Sequence, residues 1–214
     1  MKFLARGLSA AFLGVLLTAG CASSSGGGSV LLSERSTLKK NVPIDALLMT
    51  GEDLPSLLTE KLSLKSQNPD VKDIEILDAL GAKEYRLRSW LDSDGARPIV
   101  QVILGFSNPS QANSEYQGMP NGRNFHIVDG LHAFPVDIRG LKLKADAANV
   151  FCVGFENPNG KVADCPQWGF RAQYEHNVID VILRKSAGPE GYLKISKGLF
   201  LDLVVAVDQK ISRR

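Results

Sequence analysis

An alternating run near the C-terminal end constrains the fold of this chain more than any other feature. Every second residue of the run is apolar: Trp168, Phe170, Ala172 and Tyr174. Such alternation is typical of a β-strand with one buried face. His and Asn accept positive φ more readily than most residues, so a tight turn at His176-Asn177 would reverse the chain. The predicted hairpin then pairs Tyr174 with Ile179, Ala172 with Val181 and Phe170 with Leu183.

A second hairpin is predicted upstream, over residues 84–106. Asp94-Gly95 is a strong turn signal, and strand-like runs flank it at 84–91 and 98–106. A two-residue turn there pairs Leu87 with Val102 and Tyr85 with Leu104 on one face. The opposite face then carries Arg86, Arg88 and Trp90.

Capping signals and apolar spacing predict three helices. Asn68-Pro69 opens the first, which ends at Gly81, and Asn108-Pro109 opens a shorter one that ends near Gly118. A long final helix runs from Pro189 to about Ser212, with an apolar stripe along it. The solvent-exposed side of this helix is predicted to carry Asp202, Asp208 and Lys210. Two apolar clusters between residues 43 and 64 predict one or two short helices as well.

The order of these elements implies an α+β fold. We expect a mainly antiparallel sheet of hairpins, with helices packed on it and a long C-terminal helix. The chain has 214 residues, of which 44% are apolar and 22% are charged, which is the composition of an ordinary globular protein. We assign residues 37–214 to a single globular domain.

The first twenty residues have the layout of an export signal. Lys2 and Arg6 form a positive region, and a short apolar stretch from Leu8 to Leu17 follows it. This stretch is too short for a membrane-spanning helix, which needs about 20 apolar residues. The whole chain has 25 basic and 23 acidic residues, and removal of the signal makes the two numbers equal. The charge therefore does not predict nucleic-acid binding.

The residues at the end of this signal, Ala19-Gly20-Cys21, resemble the lipobox of bacterial lipoproteins, with Thr18 where leucine is usual. The resemblance implies cleavage between Gly20 and Cys21 and attachment of lipid, palmitate included, to Cys21. Ala22 rather than Asp follows, which implies the outer membrane in a cell with two membranes and otherwise the outer face of the cell membrane. Residues 21–36 would then be the lipidated cysteine and a flexible tether. An ordinary secretory peptide with a chance cysteine is the alternative.

Cys152 and Cys165 would remain after export, and they predict a disulfide because disulfides persist outside the cytosol. The turn sequence at 157–160 would join antiparallel strands at 149–155 and 161–165. A plain turn places the two cysteines opposite each other, and a bulge at Gly160 shifts the register by one. A zinc site is the alternative, but two cysteines without a nearby histidine do not match its spacing.

Motifs for catalysis and cofactor binding are missing from the sequence. It contains no nucleophile elbow, zinc-protease helix, Walker A loop or dinucleotide fingerprint. His126 and His132 flank Asp129 and could hold a metal or assist hydrolysis. We interpret them instead as strand and turn residues whose polar edges meet solvent. We therefore predict no catalytic residues, no metal and no cofactor.

Two groups of side chains could bind a ligand. A basic group could hold an anionic polymer or headgroup, although a solvated sheet face is the simpler interpretation. It comprises Lys83, Arg86, Arg88 and Arg97, with Trp90 beside them. An apolar group could line a pocket for a small apolar ligand, or it could be core. It comprises Trp168, Phe170, Tyr174, Leu199 and Leu203.

Parts of the mature chain resemble small extracytoplasmic lipoprotein domains, including those with the Mog1/PsbP-like sandwich. The likeness lies in residues 81–86 before a hairpin, residues 106–116 after it, and the final sheet and helix from Phe170 to Ile211. It supports the fold alone. Our functional hypothesis is a lipid-anchored, non-enzymatic binding or interaction module whose partner is another envelope component. The alternatives are a carrier of a small apolar ligand, and a hydrolase that uses His126 or His132.

Overall fold

The computed structural model describes residues 30–31, 42–59, 62–67, 80–92, 95, 98–118, 131–155, 165–185 and 195–214. The predicted signal, Cys21 and most of the tether lie outside these residues. So do His126, Arg97, the turn at 157–160 and the body of the helix predicted at 68–81. Of that helix, Leu80 is described as its last helical residue, and Gly81 follows with φ of 68°. Glycine adopts this left-handed conformation at a helix end without steric cost.

Eight strands form one antiparallel sheet, in the order β1-β6-β7-β8-β4-β3-β2, with β5 paired to β6 off this path. The strands are β1 (Val30–Leu31), β2 (Ser63–Gln67), β3 (Glu84–Leu91), β4 (Ile99–Gly105), β5 (Leu131–Pro135), β6 (Ala147–Phe155), β7 (Gln167–Tyr174) and β8 (Asn177–Arg184). Helices pack on both of its faces, so the predicted α+β class is confirmed.

The β3–β4 hairpin has the predicted register. Leu87 lies opposite Val102 and Tyr85 lies opposite Leu104. Gly95, in the connection, has φ of 77°, which is the conformation that favours glycine in a tight turn. A turn signal and a two-residue alternation were therefore sufficient to define this pairing.

The predicted register of the β7–β8 hairpin is wrong by two residues. Tyr174 lies opposite Asn177, Ala172 opposite Ile179 and Phe170 opposite Val181. The turn residues are Glu175 and His176, not His176 and Asn177. The Asp146 carboxylate accepts a hydrogen bond from the Glu175 N–H at 2.5 Å, a contact between distant segments that holds the turn one residue earlier. A slip of two residues keeps each side chain on its predicted face, because strand faces alternate with period two.

The described helices are α1 (Ser56–Thr59), α2 (Pro109–Gly118) and α3 (Lys197–Ser212), with 3-10 turns at Ile44–Leu47 and Gly51–Asp53. The structure confirms α2 at its predicted bounds. Its Asn108 side chain accepts a hydrogen bond from the Gln111 N–H at 2.9 Å. The final helix begins later than predicted, because Ser196 is extended and caps it by accepting from the Leu199 N–H at 3.1 Å. Among the described residues, no helix has the length and apolarity needed to cross a bilayer.

Strand β7 is buried on both faces, whereas its alternation predicted only one buried face. Side chains at even positions, such as Phe170, pack with Phe200 and Leu203 of α3 in the main core. Those at odd positions face α2, where Arg171 is fully buried and bonds to Glu115. The prediction failed because the sequence pattern assigns polar side chains to the solvent face. It does not show that such a side chain has a buried partner elsewhere in the chain.

Asp208 is the second correction to the pattern-based predictions. We predicted it on the solvent-exposed side of the last helix, but it is buried, with 3% of its surface exposed. Its carboxylate accepts hydrogen bonds from the N–H groups of Lys144 and Ala145 and from the Tyr174 hydroxyl. Three donors supplied from two other segments offset the cost of burying this group.

The structure brings Cys152 and Cys165 to disulfide distance, with sulfurs 2.13 Å apart and Cα atoms 5.6 Å apart. The predicted strand partner of Cys152 is wrong, however. β6 pairs with β7, so that Cys152 lies opposite Trp168, and Cys165 stands just before β7. The longer apolar alternation of residues 167–174 provides a better pairing surface than the short run 161–165.

Candidate functional site

A cleft of about 600 Å³ lies at the end of the sheet where the β7–β8 turn meets the start of α2. Four parts of the chain form its walls: the segment that leads into the first 3-10 turn, the adjoining ends of β3 and β4, residues 106–109 at the start of α2, and the β7–β8 turn. Clefts of this volume are typical of small-molecule sites. Its lining residues are Val42, Pro43, Ile44, Lys83, Glu84, Gly105, Phe106, Ser107, Asn108, Pro109, Glu175, His176 and Asn177.

One wall is the β7–β8 turn, whose backbone is strained. Glu175 has φ of 50°, and it is the one non-glycine residue with positive φ in the part of the chain that the structure describes. This conformation costs a non-glycine residue about 1–2 kcal/mol. Two side chains hold it in place: Asp146 accepts from the Glu175 N–H, and Gln173 Nε2 donates to the Glu175 carbonyl at 3.0 Å. The backbone of the turn is therefore fixed, and with it the point from which the Glu175 side chain extends.

A second part of the lining, which we call the apolar wall, is mostly apolar. Ile44 and Phe106 are buried there, and Val42, Pro43 and Pro109 complete the surface. Between the walls lies Gly105, where a Cβ would come within 3.3 to 3.6 Å of Glu84, Ile44 and Asn177. A larger side chain at this position would project among the residues that line the cleft.

Acidic and basic side chains both reach the cleft. Lys83 and Glu84 are exposed, whereas Glu175 and His176 are partly buried. Burial raises the pKa of Glu175 above its usual 4.5, while the nearby His176 lowers that pKa and the nearby Asp146 raises it. Among the described residues, neither the Glu175 carboxylate nor the Glu84 carboxylate accepts a hydrogen bond.

Helix α2 is held on the sheet by a buried ionic cluster. Arg171 Nη1 donates to Asp180 at 2.8 Å, and Nη2 donates to the Glu115 carboxylate at 2.9 Å. Arg171 and Asp180 are almost fully buried, and Glu115 is 8% exposed. Gln173 Nε2 also donates to the Pro109 carbonyl at 3.2 Å. These contacts position the first turn of α2, which forms the rim of the cleft.

The predicted apolar pocket is part of the core. Phe170, Tyr174 and Leu203 are fully buried and Trp168 nearly so, and the Trp168 ring stacks on Phe200 with centroids 5.7 Å apart. Leu199 packs against the same cluster while partly exposed. Packing between sheet and helix accounts for all five side chains, and none of them lines the cleft.

The described members of the predicted basic group make separate contacts and do not form one binding surface. Arg86 pairs with Asp45 at 2.6 Å, and Arg88 donates to the Met49 carbonyl at 2.6 Å. Both arginines therefore fasten residues 43–53 to the sheet. Trp90 is buried in the core. Of the described members, only Lys83 lines the cleft.

The structure places His132 on β5 as an exposed residue, edge-on to Phe134 with ring centroids 6.3 Å apart. Among the described residues, no group of three His, Cys, Asp or Glu side chains comes close enough to hold a metal ion. A smaller cavity of about 430 Å³ lies beside the end of α3, where Lys210 pairs with Asp53 at 3.0 Å.

The sequence analysis did not identify the residues of the cleft as a group. Asn108 and Pro109 were noted only as a helix start, and Lys83 only as part of a basic face. Glu175 carries no local signal, because its role depends on contacts from Asp146 and Gln173. A glycine ending a buried strand, such as Gly105, was the one available indication of a close approach at this point.

Comparisons of this chain with protein-family models, with characterised proteins and with solved structures find no match. The resemblance to Mog1/PsbP-like lipoprotein domains thus stays a prediction.

Proposed function

We propose that this chain is a lipid-anchored protein of the bacterial cell envelope whose domain binds a small ligand without transforming it. The observation that carries the binding role is the cleft of about 600 Å³, which combines an apolar wall with a fixed polar turn. Asp146 and Gln173 hold the turn, and the Arg86–Asp45 pair fastens the segment next to the apolar wall. A preformed cleft loses little conformational entropy when a ligand enters.

Binding is preferred over catalysis because of how the described histidines are placed. Neither His132 nor His176 forms a hydrogen bond to a hydroxyl, thiol or carboxylate within the described residues. A nucleophilic hydroxyl or thiol needs such a base within hydrogen-bond distance. Among the described residues, His132 has no such group beside it. The role of the domain would then be recognition, with a free ligand or an envelope component as the partner.

The lipid anchor is inferred from the lipobox-like residues Ala19-Gly20-Cys21. Replacement of Cys21 by Ser removes the thiol that would carry the lipid, so we expect the variant to leave the membrane fraction and to lose palmitate labelling. The matched control is Cys152→Ala/Cys165→Ala, which should stay in the membrane fraction. Membrane retention of Cys21→Ser in a high-salt wash would contradict the anchor.

The binding role can be tested by native mass spectrometry of protein purified gently from its own envelope. We expect extra mass that disappears on denaturation. Gly105→Val should abolish it, because the valine side chain would project among the lining residues. Gly140→Ala is the control, since a Cβ there meets no atom within 4 Å. Identical bare masses for wild type and Gly105→Val would refute binding in the cleft.

A further inference from the structure

We infer that the cleft selects a small organic cation, a protonated amine or guanidinium on a short apolar stem, and that the Glu175 carboxylate is the group that selects it. This inference rests on the proposed binding function and specifies its ligand. It is argued from the cavity, its charges and its apolar wall.

The first argument concerns charge. Two carboxylates, of Glu84 and Glu175, line the cleft together with one lysine, Lys83. A third carboxylate, of Asp146, lies directly behind the turn and bonds to its backbone. These three carboxylates outnumber the two basic side chains that line the cleft, Lys83 and His176. The local field therefore favours a cation over an anion.

The second argument concerns Glu175 itself. Its carboxylate is partly removed from water, and it accepts no hydrogen bond from the residues that the structure describes. The fixed turn holds this carboxylate beside the cavity. An ammonium or guanidinium donor would supply charge-assisted hydrogen bonds, which are about twice as strong as neutral ones.

The third argument concerns the helix start, which is the natural place for an anion. Here two backbone donors near that start are already used: the Gln111 N–H bonds to the Asn108 side chain, and the Ser107 N–H bonds to Gln111 Oε1 at 3.2 Å. An anion bound to either of these donors would have to displace its present contact. The apolar wall of Ile44, Phe106 and Pro109 then suits the hydrocarbon stem of the ligand.

The test is calorimetric titration of the wild-type domain with three probes of equal length: pentylamine, pentanol and pentanoate, at pH 7.5 and low salt. We expect saturable binding of pentylamine, and binding of the alcohol and the acid weaker by tenfold or more. Glu175→Gln keeps the size and backbone of the residue, and it should weaken pentylamine binding by about tenfold, the loss of one charge-assisted contact. Asp137→Asn is the matched control, because Asp137 is exposed and pairs with Arg139 instead.

Several outcomes would overturn the inference. Pentylamine that fails to bind, binds no better than pentanol or pentanoate, or binds Glu175→Gln as well as wild type would each reject a selective cation site. The proposed function fails on different evidence, namely identical bare masses of wild type and Gly105→Val. A ligand mass that Gly105→Val removes, together with no preference for the amine, would keep the cleft as a binding site for another class of ligand.

Discussion

The Tyr174 hydroxyl donates a hydrogen bond to the Asp208 carboxylate at 2.9 Å, in the interior between β7 and α3. The same carboxylate accepts from the backbone N–H groups of Lys144 and Ala145. One buried side chain thus joins a strand, a loop and the C-terminal helix. Burial and the adjacent Asp208 charge raise the pKa of Tyr174 well above its usual 10.0, so the phenol remains a donor over the whole physiological range.

Variants of Asp208 should separate the hydrogen bonds from the charge. Asp208→Ala leaves three donors without their acceptor, and each buried unsatisfied group costs about 1–3 kcal/mol. We expect a loss of about 3 kcal/mol or more. Asp208→Asn retains Oδ1 and should cost about 1 kcal/mol. Urea unfolding followed by circular dichroism measures both, and equal losses would contradict the role of the acceptor.

The pH dependence of these variants has a defined sign. Burial is the main reason that the pKa of Asp208 is raised above its usual 3.8, against the lowering effect of its hydrogen bonds. The folded protein therefore holds this proton more tightly than the unfolded chain. The resulting stabilisation is complete below about pH 3.9 and is lost as pH rises through the folded pKa.

Consequently, the free energy of unfolding of wild type minus that of Asp208→Asn should fall as pH rises from about 4 toward neutrality. Urea titrations of the two proteins at matched pH values measure this difference. A difference that grows with pH would mean that the pKa of Asp208 is lowered on folding.

The ionic cluster around Arg171 should be sensitive to removal of one member. Arg171→Met deprives Asp180 and Glu115 of their shared cation in a buried site, and breaking such a pair costs about 3–5 kcal/mol. Replacing all three by Met, Leu and Leu should recover most of this loss, because no buried charge remains. Arg139→Met, in an exposed pair, should leave the unfolding midpoint unchanged. A triple variant as unstable as Arg171→Met would count against this electrostatic explanation.

Loss of the disulfide should destabilise the domain. The bond closes a loop between residues 13 apart in sequence, which corresponds to about 3 kcal/mol in the chain-entropy model. Cys152→Ala/Cys165→Ala should therefore melt about 6–12 °C lower in calorimetry. Dithiothreitol should lower the melting temperature of wild type toward that of the variant and leave the variant unaffected. Resistance of wild type to full reduction, verified by thiol labelling, would oppose this prediction.

Relieving the backbone strain at Glu175 should raise the stability of the fold and weaken the proposed binding of a cation in the cleft. Asparagine tolerates positive φ better than glutamate, so Glu175→Asn should stabilise the fold by about 0.5–1 kcal/mol. Glu175→Gln keeps the unfavourable conformation and serves as the control, with no expected gain. Thermal unfolding measures both. A destabilised Glu175→Asn would indicate that the glutamate side chain supports the turn itself.

The elements with strong local signals could be predicted from the sequence. Asp94-Gly95 and the flanking alternation determined the β3–β4 register, and Asn108-Pro109 with Gly118 determined α2. These features depend on φ preferences, capping and periodicity, which act within a few residues. The α+β class followed from the order of such elements, whereas the cysteine pair was predicted from the export signal and the number of cysteines.

Only the tertiary structure decided the β7–β8 register, the burial of Arg171 and Asp208, and the cleft beside Glu175. In each case a polar group meets a partner far along the chain: Asp146 for Glu175, Glu115 for Arg171, and Lys144 for Asp208. A prediction from local periodicity places such groups on the solvent face. It cannot distinguish the two environments, because water and a buried partner can satisfy the same donors and acceptors. The choice between the two is made by long-range packing, which brings the partner into place.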